Sequence, residues 1–488
     1  MVDLSAATVR RQTEELDELI NKPIYSIAPE ALKAYEEEYF GEKCKRSREM
    51  LHEAIKYIPG GVQHNLAFNY PFPLVFTKAD GAYLEDLDGN RYFDFLQAGG
   101  PTVLGSNPPE VREKVIELLN TCGPSTGLFH EFEYRIAKLV TELIPSVTWL
   151  RLLNSGTEAC MVAIRIARLA TKKKQILKMG GAYHGWSDQH AYGIRVPGSK
   201  FTQAHGIPRF IFKGIDEFFP GNLKSLERKL RLNLLRGGTA AVMLEPVGPE
   251  SGTRPISVDF VKGAAELCKK YGALLVFDEV VTAFRLSPHG AQGIMGVDPD
   301  LTVFGKVIAG GYPGAGGIGG KKEYRKYLAA GIQTGDKVKK ALVGGTMAAT
   351  PLSALAGYYT LKRIAETGAC ERANAMGDRL TAGLKRLIKK HNLPFVAFNQ
   401  GSICHLETVG TMHFSVNWLK PWTIPRVLHE TSVRKAEMEH MGAAYMAEGL
   451  VTLAGSRLYT SAAYTEEMID QALAAFDRVF ANVIRLDR

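Results

Sequence analysis

The sequence predicts an α/β protein with a large mixed, mostly parallel sheet domain and a smaller α+β domain. Two observations support this prediction. Between about residues 110 and 360, short apolar runs alternate with helical segments, as in sheets that are covered by helices on both faces. After about residue 365, a long basic helix, one clear strand and a final helix indicate a second, smaller unit.

The composition is ordinary for a globular enzyme: 488 residues, 45% hydrophobic and 23% charged. The net charge of +9 is a low density over this length, and the basic run Lys172–Lys174 carries no interleaved aromatic residues, so it indicates a solvated helix end. The six cysteines form no CxxC pair, which predicts free thiols and no metal site. No stretch approaches the roughly 18 apolar residues of a membrane helix, and the first residues do not resemble a signal peptide. We expect a cytoplasmic protein that binds neither nucleic acid nor membrane.

The N-terminal part begins with charged helices up to about residue 57, which Pro59-Gly60-Gly61 should end. Residues 74–95 alternate strand-like runs with turns and predict a small meander. We expect the first 50 residues to form an arm that packs on a second subunit. The predicted divisions of the chain are an N-terminal helical arm with a small-lobe meander (1–95), a large α/β domain (96–365) and a C-terminal small α+β domain (366–488).

The central strands are predicted from five apolar runs. They are Thr148–Leu153, Ile176–Met179, Ala241–Leu244, Ala273–Phe277 and Leu301–Phe304. Ligands of such sheets bind at the carboxyl ends of the strands. The residues that could carry chemistry follow four of these runs.

The first candidate segment is Asn154–Glu158, a small turn that opens a helix. Free backbone N–H groups and the helix dipole suit a phosphate there, and the hydroxyls of Ser155 and Thr157 add donors beside Gly156. The alternative is a plain helix cap, because Ser and Thr are good capping residues.

Two further candidates are an aromatic residue and an acid. Tyr183 follows the second run and could stack on a flat heteroaromatic ligand, or it could be a core tyrosine. Asp278 ends the strongest apolar run, where a buried carboxylate needs a partner. A pyridinium N–H would be such a partner, with Val280 against the ring. The alternative partner is the backbone of a neighbouring loop.

Lys306 follows the last run, and a lysine walled by apolar residues can act as an amine nucleophile and proton carrier. The alternative is a surface lysine. Gly314, Gly316 and Gly319 match GxGxxG, but the context of a dinucleotide site is missing. We expect these glycines to let the chain turn tightly beside a ligand.

As an ordered set, these segments resemble the class III aminotransferases of PLP (pyridoxal 5'-phosphate) fold type I, and they are similar to the glutamate-1-semialdehyde aminomutase branch. The resemblance spans roughly residues 51–365. The segments that carry it are Ile58–Val62, Lys78–Tyr83, Val103–Gly105, Asn154–Ala159, Tyr183–Gly185, Glu245–Val247, Asp278–Val280, Gly305-Lys306 and Gly345-Thr346.

The resemblance implies PLP as the cofactor, bound to Lys306 as a Schiff base. Asp278 would pair with the pyridine nitrogen, while Tyr183 and Val280 would contact the two ring faces. Lys306, Asp278 and Tyr183 would be the catalytic residues. The remaining cofactor contacts that it implies are Ser155, Gly156 and Thr157 at the phosphate, His184, Glu245 near the cofactor hydroxyl, and Thr346.

Thr346 would reach the cofactor phosphate of a neighbouring subunit, which implies a homodimer with shared active sites. The substrates would be a small-molecule amino donor and a keto acceptor. Glu250 and Arg457 are the candidate substrate contacts.

The chain also departs from the aminomutase pattern. Val62–Phe68 lacks the arginine that holds the substrate carboxylate, Gly99-Gly100-Pro101 lacks a tryptophan, and Glu250 replaces an asparagine. Further arginines that could hold a carboxylate are Arg254 and Arg285.

The sequence therefore predicts an aminotransferase that moves an amino group between an amino acid or amine and a keto acceptor. One alternative is a PLP-dependent isomerase, either an aminomutase or an amino-acid epimerase. The other is a non-catalytic PLP-binding protein.

Overall fold

The computed structural model of the chain describes residues 2–199, 205–328, 338–416 and 421–486. The helices within these residues are α1 Ala6–Leu19, α2 Pro29–Ala34, α3 Lys45–Ala54, α4 Pro109–Thr121, α5 Glu131–Leu143, α6 Gly156–Thr171, α7 Leu223–Leu234, α8 Pro249–Gly252, α9 Val258–Tyr271, α10 Gly290–Met295, α11 Pro351–Thr367, α12 Ala369–Lys390, α13 Ile424–Ala447 and α14 Glu466–Phe480. The strands are β1 Tyr25–Ile27, β2 Phe76–Asp80, β3 Tyr83–Asp86, β4 Arg91–Asp94, β5 Leu150–Leu153, β6 Gln175–Met179, β7 Ile215–Phe218, β8 Thr239–Leu244, β9 Leu274–Asp278, β10 Leu301–Gly305, β11 Gly316–Gly320, β12 Val396–Gln400, β13 Ile403–Glu407, β14 Leu450–Val451, β15 Arg457–Tyr459 and β16 Val483–Arg485.

The largest sheet has seven strands in the order β5-β11-β10-β9-β8-β6-β7. All neighbours pair in parallel except β11, which is antiparallel to both β10 and β5. The five apolar runs of the sequence correspond to β5, β6, β8, β9 and β10, so the predicted mixed, mostly parallel sheet is confirmed.

The structure corrects the expectation that the glycine run forms only turns. Residues Gly316–Gly320 form strand β11, which lies within the central sheet. A Cβ atom at Gly316 would lie 2.4 Å from the backbone of Ser155, and one at Gly320 would lie 2.4 Å from a backbone oxygen of Asp300. The strand therefore needs glycine for close approach to its neighbours. Only the preceding Gly310, Gly311 and Gly314, with φ of +61°, +86° and +76°, turn in the left-handed region.

The central sheet is covered on both faces, which agrees with the continuous burial along β6, β8, β9, β10 and β11. On one face, Val242 and Phe277 pack with α7 and α9. On the other face, Ala241 and Val276 pack with α6. This covering leaves the carboxyl ends of the parallel strands as the open edge of the sheet.

Three smaller sheets complete the fold. The predicted meander β2-β3-β4 is confirmed, and β14 joins it in parallel. Strands β12, β13 and β15 form an antiparallel sheet, and β1 pairs antiparallel with β16. The meander shares an apolar core with the C-terminal region, in which Ala82 and Phe95 pack with side chains of α12 and α14. The three-part division of the chain stays a prediction.

The N-terminal arm is bound to its own chain. Leu16 and Leu19 of α1 pack with Val396 and Phe398 of β12. Its packing on a second subunit stays a prediction. Among the helices of the described residues, none is long and apolar enough to cross a membrane.

Candidate active site

A cavity of about 470 Å³ opens at the carboxyl ends of the central strands. Eight of the residues that the sequence singles out line it: Ser155, Gly156, Thr157, Tyr183, His184, Asp278, Val280 and Lys306. The structure thus brings together, from four strand ends, residues that span about 150 positions of the chain. Lining residues that sequence reasoning did not select include His64, Pro101, Cys160, Trp186 and Tyr312.

One end of the cavity is formed by the first turn of α6, directly after β5. Ser155 caps the helix, because its hydroxyl accepts a hydrogen bond from the backbone N–H of Glu158 at 3.3 Å. The Glu158 carboxylate in turn accepts from the backbone N–H of Asn154 at 2.8 Å and from its side chain at 3.2 Å. The cap and an anion site are compatible here, since the first N–H groups of a helix have no partner within it.

Asp278, the last residue of β9, lies at the base of the cavity and is 5% exposed. Its Oδ2 atom accepts a hydrogen bond from His184 Nδ1 at 2.7 Å and one from Cys160 Sγ at 3.5 Å. Its Oδ1 atom accepts from the backbone N–H of Val280 at 3.1 Å. The carboxylate is therefore held from two sides, by side chains and by the backbone.

Cys160 is a contact of Asp278 that the sequence did not reveal. It lies among the buried side chains of α6. Burial, followed by the charge of Asp278, raises the pKa of the Cys160 thiol well above its usual value, so the thiol is protonated and donates. The ligand atoms of Cys160, His184 and Asp278 lie within 4.8 Å of one another and could hold a metal ion, but a protonated thiol is a poor ligand. The absence of a metal site stays a prediction.

Val280 forms one wall of the cavity in a space that only glycine neighbours allow. A Cβ atom on Gly156 would lie 2.7 Å from Val280 Cγ2, and one on Gly305 would lie 2.7 Å from Val280 Cγ1. The ring of Tyr183 lines the same cavity and is 46% exposed. The two side chains provide an apolar and an aromatic surface for a flat ligand.

Lys306 is the first residue after β10 and has a φ of +48°, an unfavourable value for a residue with a side chain. This bend lets the side chain reach the cavity, where its Nζ atom donates a hydrogen bond to the carbonyl oxygen of Gly99 at 2.5 Å. Burial lowers the pKa of the Lys306 amine. A larger fraction of the amine is therefore neutral and able to act as a nucleophile or base.

Glu245 does not line the cavity but ties two of its neighbouring loops together. Its carboxylate accepts hydrogen bonds from the backbone N–H groups of Tyr183 at 2.9 Å, Glu250 at 3.0 Å and Ser251 at 2.8 Å. Burial, with the charges of Asp278 and Glu250, raises the pKa of Glu245 to about 8. Its direct contact with a cofactor stays a prediction.

Glu250 and Arg457 form an ion pair with each other, and neither residue lines the cavity. Arg457 Nη2 lies 3.0 Å from Glu250 Oε2, and Arg195 Nε lies 3.9 Å from Glu250 Oε1. Burial alone would lower the pKa of Arg457, but Tyr459 and Glu250 raise it above its usual value. The charge of Arg457 helps to lower the pKa of Lys306, whereas that of Glu250 raises it.

The other two candidate arginines are bound elsewhere. The fully buried Arg285 donates to the carbonyl oxygens of Gly100 at 2.7 Å and Thr460 at 3.0 Å. Arg254 donates to the carbonyl oxygen of Phe414 at 3.0 Å and lines a separate cavity of about 220 Å³ beside α1. Neither arginine lines the cavity of Lys306.

Thr346 is exposed and lines a different cavity, of about 850 Å³. Leu128 and Phe129 line the same surface and are 78% and 80% exposed. Within one chain, Thr346 therefore does not face the cavity of Lys306.

The residues of the cavity fit the group that the resemblance implies. A helix N-terminus suits its phosphate, and the glycine-backed Val280 with Tyr183 suits its flat ring. The buried Asp278 suits a protonated ring nitrogen, and the amine of Lys306 suits its aldehyde carbon. Beside this set, the buried side-chain oxygen of Asn154 and Nε2 of His184 have no hydrogen-bond partner among the described residues, so polar contacts remain available.

Comparison with known proteins gives the same result. The family model of class III aminotransferases matches residues 66–479. Glutamate-1-semialdehyde 2,1-aminomutase 1 of Lachnoclostridium phytofermentans is 34% identical over 449 residues, which cover 90% of this chain and 99% of that protein. Glutamate-1-semialdehyde 2,1-aminomutase of Legionella pneumophila strain Paris is 38% identical over 366 residues, covering 73% and 82%.

Among solved structures, an omega-transaminase from Sphaerobacter thermophilus superposes with a TM-score of 0.79 at 26% identity, covering 91% of this chain and 99% of that one. The fold, the cavity and these matches agree. The chain therefore belongs to the class III aminotransferases and is a PLP-dependent enzyme.

Proposed function

We propose that this enzyme is an aminotransferase that moves an amino group between an amino acid or amine and a keto acceptor at Lys306. The observation that carries the proposal is the ion pair of Arg457 with Glu250, whose Nη2 and Oε2 atoms are 3.0 Å apart. An aminotransferase must accept two different substrates in one pocket. A carboxylate site can serve both substrates if its arginine either binds the substrate carboxylate or pairs with an acidic side chain of the same chain.

When bound, PLP supplies an electron sink for the charge that develops on the substrate carbon. Asp278 would hold the ring nitrogen of the cofactor, and the hydrogen bonds from His184 and Cys160 fix the orientation of its carboxyl group. The Nζ atom of Lys306 would be the group that takes the proton from the substrate carbon and returns it as general base and acid. The lowered pKa of Lys306 favours the neutral amine that this step needs.

Arg457 would bind the carboxylate of an incoming amino acid in place of Glu250. The side chains of Arg457 and Glu250 are 8% and 11% exposed, so the charges interact with little screening by water. Arg195, whose Nε atom lies 3.9 Å from Glu250 Oε1, would be the neighbouring cation for a displaced Glu250. A substrate without a carboxylate leaves the pair closed.

Arg457→Met tests this arrangement with a panel of amino donors that do or do not carry a carboxylate. A charge-assisted hydrogen bond contributes about 1.5–3 kcal/mol, so KM for carboxylate-bearing donors should rise about 10- to 150-fold. Simple amines should be affected much less. The control is Arg254→Met, which removes a half-buried arginine that lines a separate cavity beside α1. An equal loss for both donor classes in Arg457→Met would contradict the proposed carboxylate site.

A second candidate function is an aminomutase, which moves the amino group within one substrate. The names of the curated relatives, at 34% and 38% identity, favour it. The discriminating assay incubates the enzyme with glutamate-1-semialdehyde as the only substrate. Complete isomerisation without a keto acceptor supports the aminomutase, whereas a dependence on an added keto acid supports the aminotransferase.

We further propose a homodimer in which Thr346 completes the phosphate site of the partner. The exposure of Thr346 beside the apolar Leu128 and Phe129 supports an interface there. Light scattering measures the assembly. Mixing inactive Lys306→Ala with inactive Thr346→Arg should restore activity, because one site of a mixed dimer has both native residues. A lack of recovery in proven mixed dimers would refute the shared site.

A further inference from the structure

The turn of residues 97–100, next to Lys306, has an unusual backbone. Gln97, Ala98, Gly99 and Gly100 follow one another with φ of +47°, +52°, +83° and +117°. The left-handed region is unfavourable for residues with a side chain, and two such residues stand here in succession. A conformation of this kind persists only where surrounding groups hold it in place.

Arg285 is the group that holds this turn. Its Nε atom donates to the carbonyl oxygen of Gly100 at 2.7 Å, and its Nη2 atom donates to the side-chain oxygen of Gln97 at 3.0 Å. Its Nη1 atom donates to the carbonyl oxygen of Thr460 at 3.0 Å and to the hydroxyl of Ser402 at 3.3 Å. The rigid fork of a guanidinium therefore joins the turn to two segments of the small lobe.

Two further contacts fix the turn from other sides. The carboxylate of Asp94 accepts a hydrogen bond from the backbone N–H of Gln97 at 2.7 Å. The ring of Tyr459 lies behind Gly100, since a Cβ atom on Gly100 would be 3.6 Å from its Cζ. The guanidinium of Arg285 lies 4.9 Å from the centre of that same ring.

The turn contacts Lys306 through the carbonyl oxygen of Gly99, which accepts the hydrogen bond from Lys306 Nζ at 2.5 Å. A Cβ atom on Gly99 would lie 3.4 Å from Lys306 Nζ and 3.2 Å from Leu66 Cδ1, so a side chain would crowd the amine. This glycine belongs to the segment in which the chain departs from the aminomutase pattern.

We propose that Arg285 is a positioning residue for Lys306: it locks the turn of residues 97–100 so that the Gly99 carbonyl receives the lysine amine whenever the lysine is not joined to the cofactor. The inference rests on the proposed function, in which Lys306 must be released and must then carry a proton. The fixed acceptor gives the free amine one defined position beside the cavity instead of many.

The charges around Lys306 determine how the proposal can be tested. Burial lowers its pKa most; Tyr459 and Glu250 raise it, whereas Arg457 and Arg285 lower it. The other ionisable groups that line the cavity are His64, Cys160, Tyr183, His184, Asp278 and Tyr312. Removing the charge of Arg285 would raise the pKa of Lys306, whereas losing the Gly99 acceptor would lower it. Arg285→Lys keeps the positive charge and removes only the planar set of guanidinium N–H donors.

The experiment measures the pH midpoint at which Lys306 of the full-length, cofactor-free chain is labelled by an amine-reactive reagent, read by mass spectrometry. Loss of a carbonyl acceptor for the ammonium should lower the midpoint in Arg285→Lys by about one to two pH units. Arg254→Lys is the matched control, because it is the same exchange at a half-buried arginine that lines another cavity, and its midpoint should equal that of wild type. Circular dichroism verifies that each variant is folded.

An unchanged midpoint in folded Arg285→Lys, or the same fall in Arg254→Lys, would overturn the proposal. If Arg285→Lys does not fold, the test uses Gln97→Leu, which removes only the side-chain oxygen that accepts from Arg285 Nη2. This variant should lower the labelling midpoint of Lys306 by a smaller amount, and an unchanged midpoint would also overturn the proposal. The labelling needs no cofactor. Failure of the proposed function would appear separately, as wild-type protein that binds PLP without any amino transfer.

Discussion

Replacing Gly156 with alanine tests the cofactor slot directly, because the space behind Val280 is measured in the structure. The new Cβ atom would lie 2.7 Å from Val280 Cγ2, whereas carbon atoms prefer about 3.5–4.0 Å. Either Val280 or the start of α6 must move by about 1 Å, and overpacking of this kind costs about 1–3 kcal/mol. If that cost falls on the bound state, the Kd for PLP should rise roughly 5- to 150-fold.

The assay removes the cofactor, adds PLP back in steps and follows the visible absorbance of the cofactor joined to Lys306. Gly442→Ala is the control, since its Cβ atom inside α13 would meet only ordinary contacts, at 3.7 Å and beyond. Combining Gly156→Ala with Val280→Ala should restore part of the affinity that Gly156→Ala loses relative to Val280→Ala alone. Wild-type affinity in Gly156→Ala, or no recovery in the double variant, would refute the reasoning.

Three more outcomes are expected. Burial raises the pKa of Glu407 from 4.5 to about 7, so the folded state binds the proton of this carboxyl more tightly than the unfolded state does. As the pH rises from about 5 to 8, loss of that proton should lower the free energy of unfolding by up to about 3 kcal/mol. The melting temperature of Glu407→Gln relative to wild type should therefore increase over that range, and a constant difference would contradict the shift. Asp278→Asn should slow each half-reaction about 10²- to 10³-fold in stopped-flow measurements while PLP remains bound; a near-native rate would remove its assigned role. Lys178 donates to three backbone carbonyls of the loop 182–192 and so holds the segment that carries Tyr183. Lys178→Met should therefore weaken PLP binding about tenfold, and an unaltered Kd for PLP would exclude this role of Lys178.

The sequence predicts the centre of the site well because of where its polar residues stand. Asp278 and Lys306 each follow an apolar run, and parallel strands align their carboxyl ends. Local pattern alone therefore suggests that the two meet. The order of the motifs along the chain then identifies the family.

Two central strands were not predictable from such patterns. Strand β11 consists of four glycines and Ile318, a composition that local propensity assigns to turns. Strand β7 contains Asp216 and Glu217, and these acids hide its period. In both cases the neighbouring strands, rather than the local sequence, determine the conformation.

The groups that orient the site also depend on tertiary contacts. Arg285 contacts residues that lie 188 and 175 positions away in the sequence. Cys160 meets Asp278 across 118 positions. A local pattern shows such residues only as a buried arginine or a helical cysteine. Their roles follow from the geometry alone.

The pairing of β1 with β16 joins Tyr25 to Arg485 and so closes almost the whole chain into one loop. During synthesis, residues 25–27 must wait, unpaired, until residues 483–485 leave the ribosome. Such a contact costs the most loop-closure entropy and forms late. A chain shortened at its C-terminus would expose an open strand edge, which is a template for aggregation. Expression of the protein should therefore retain residues 483–485, with any tag placed outside this strand pair.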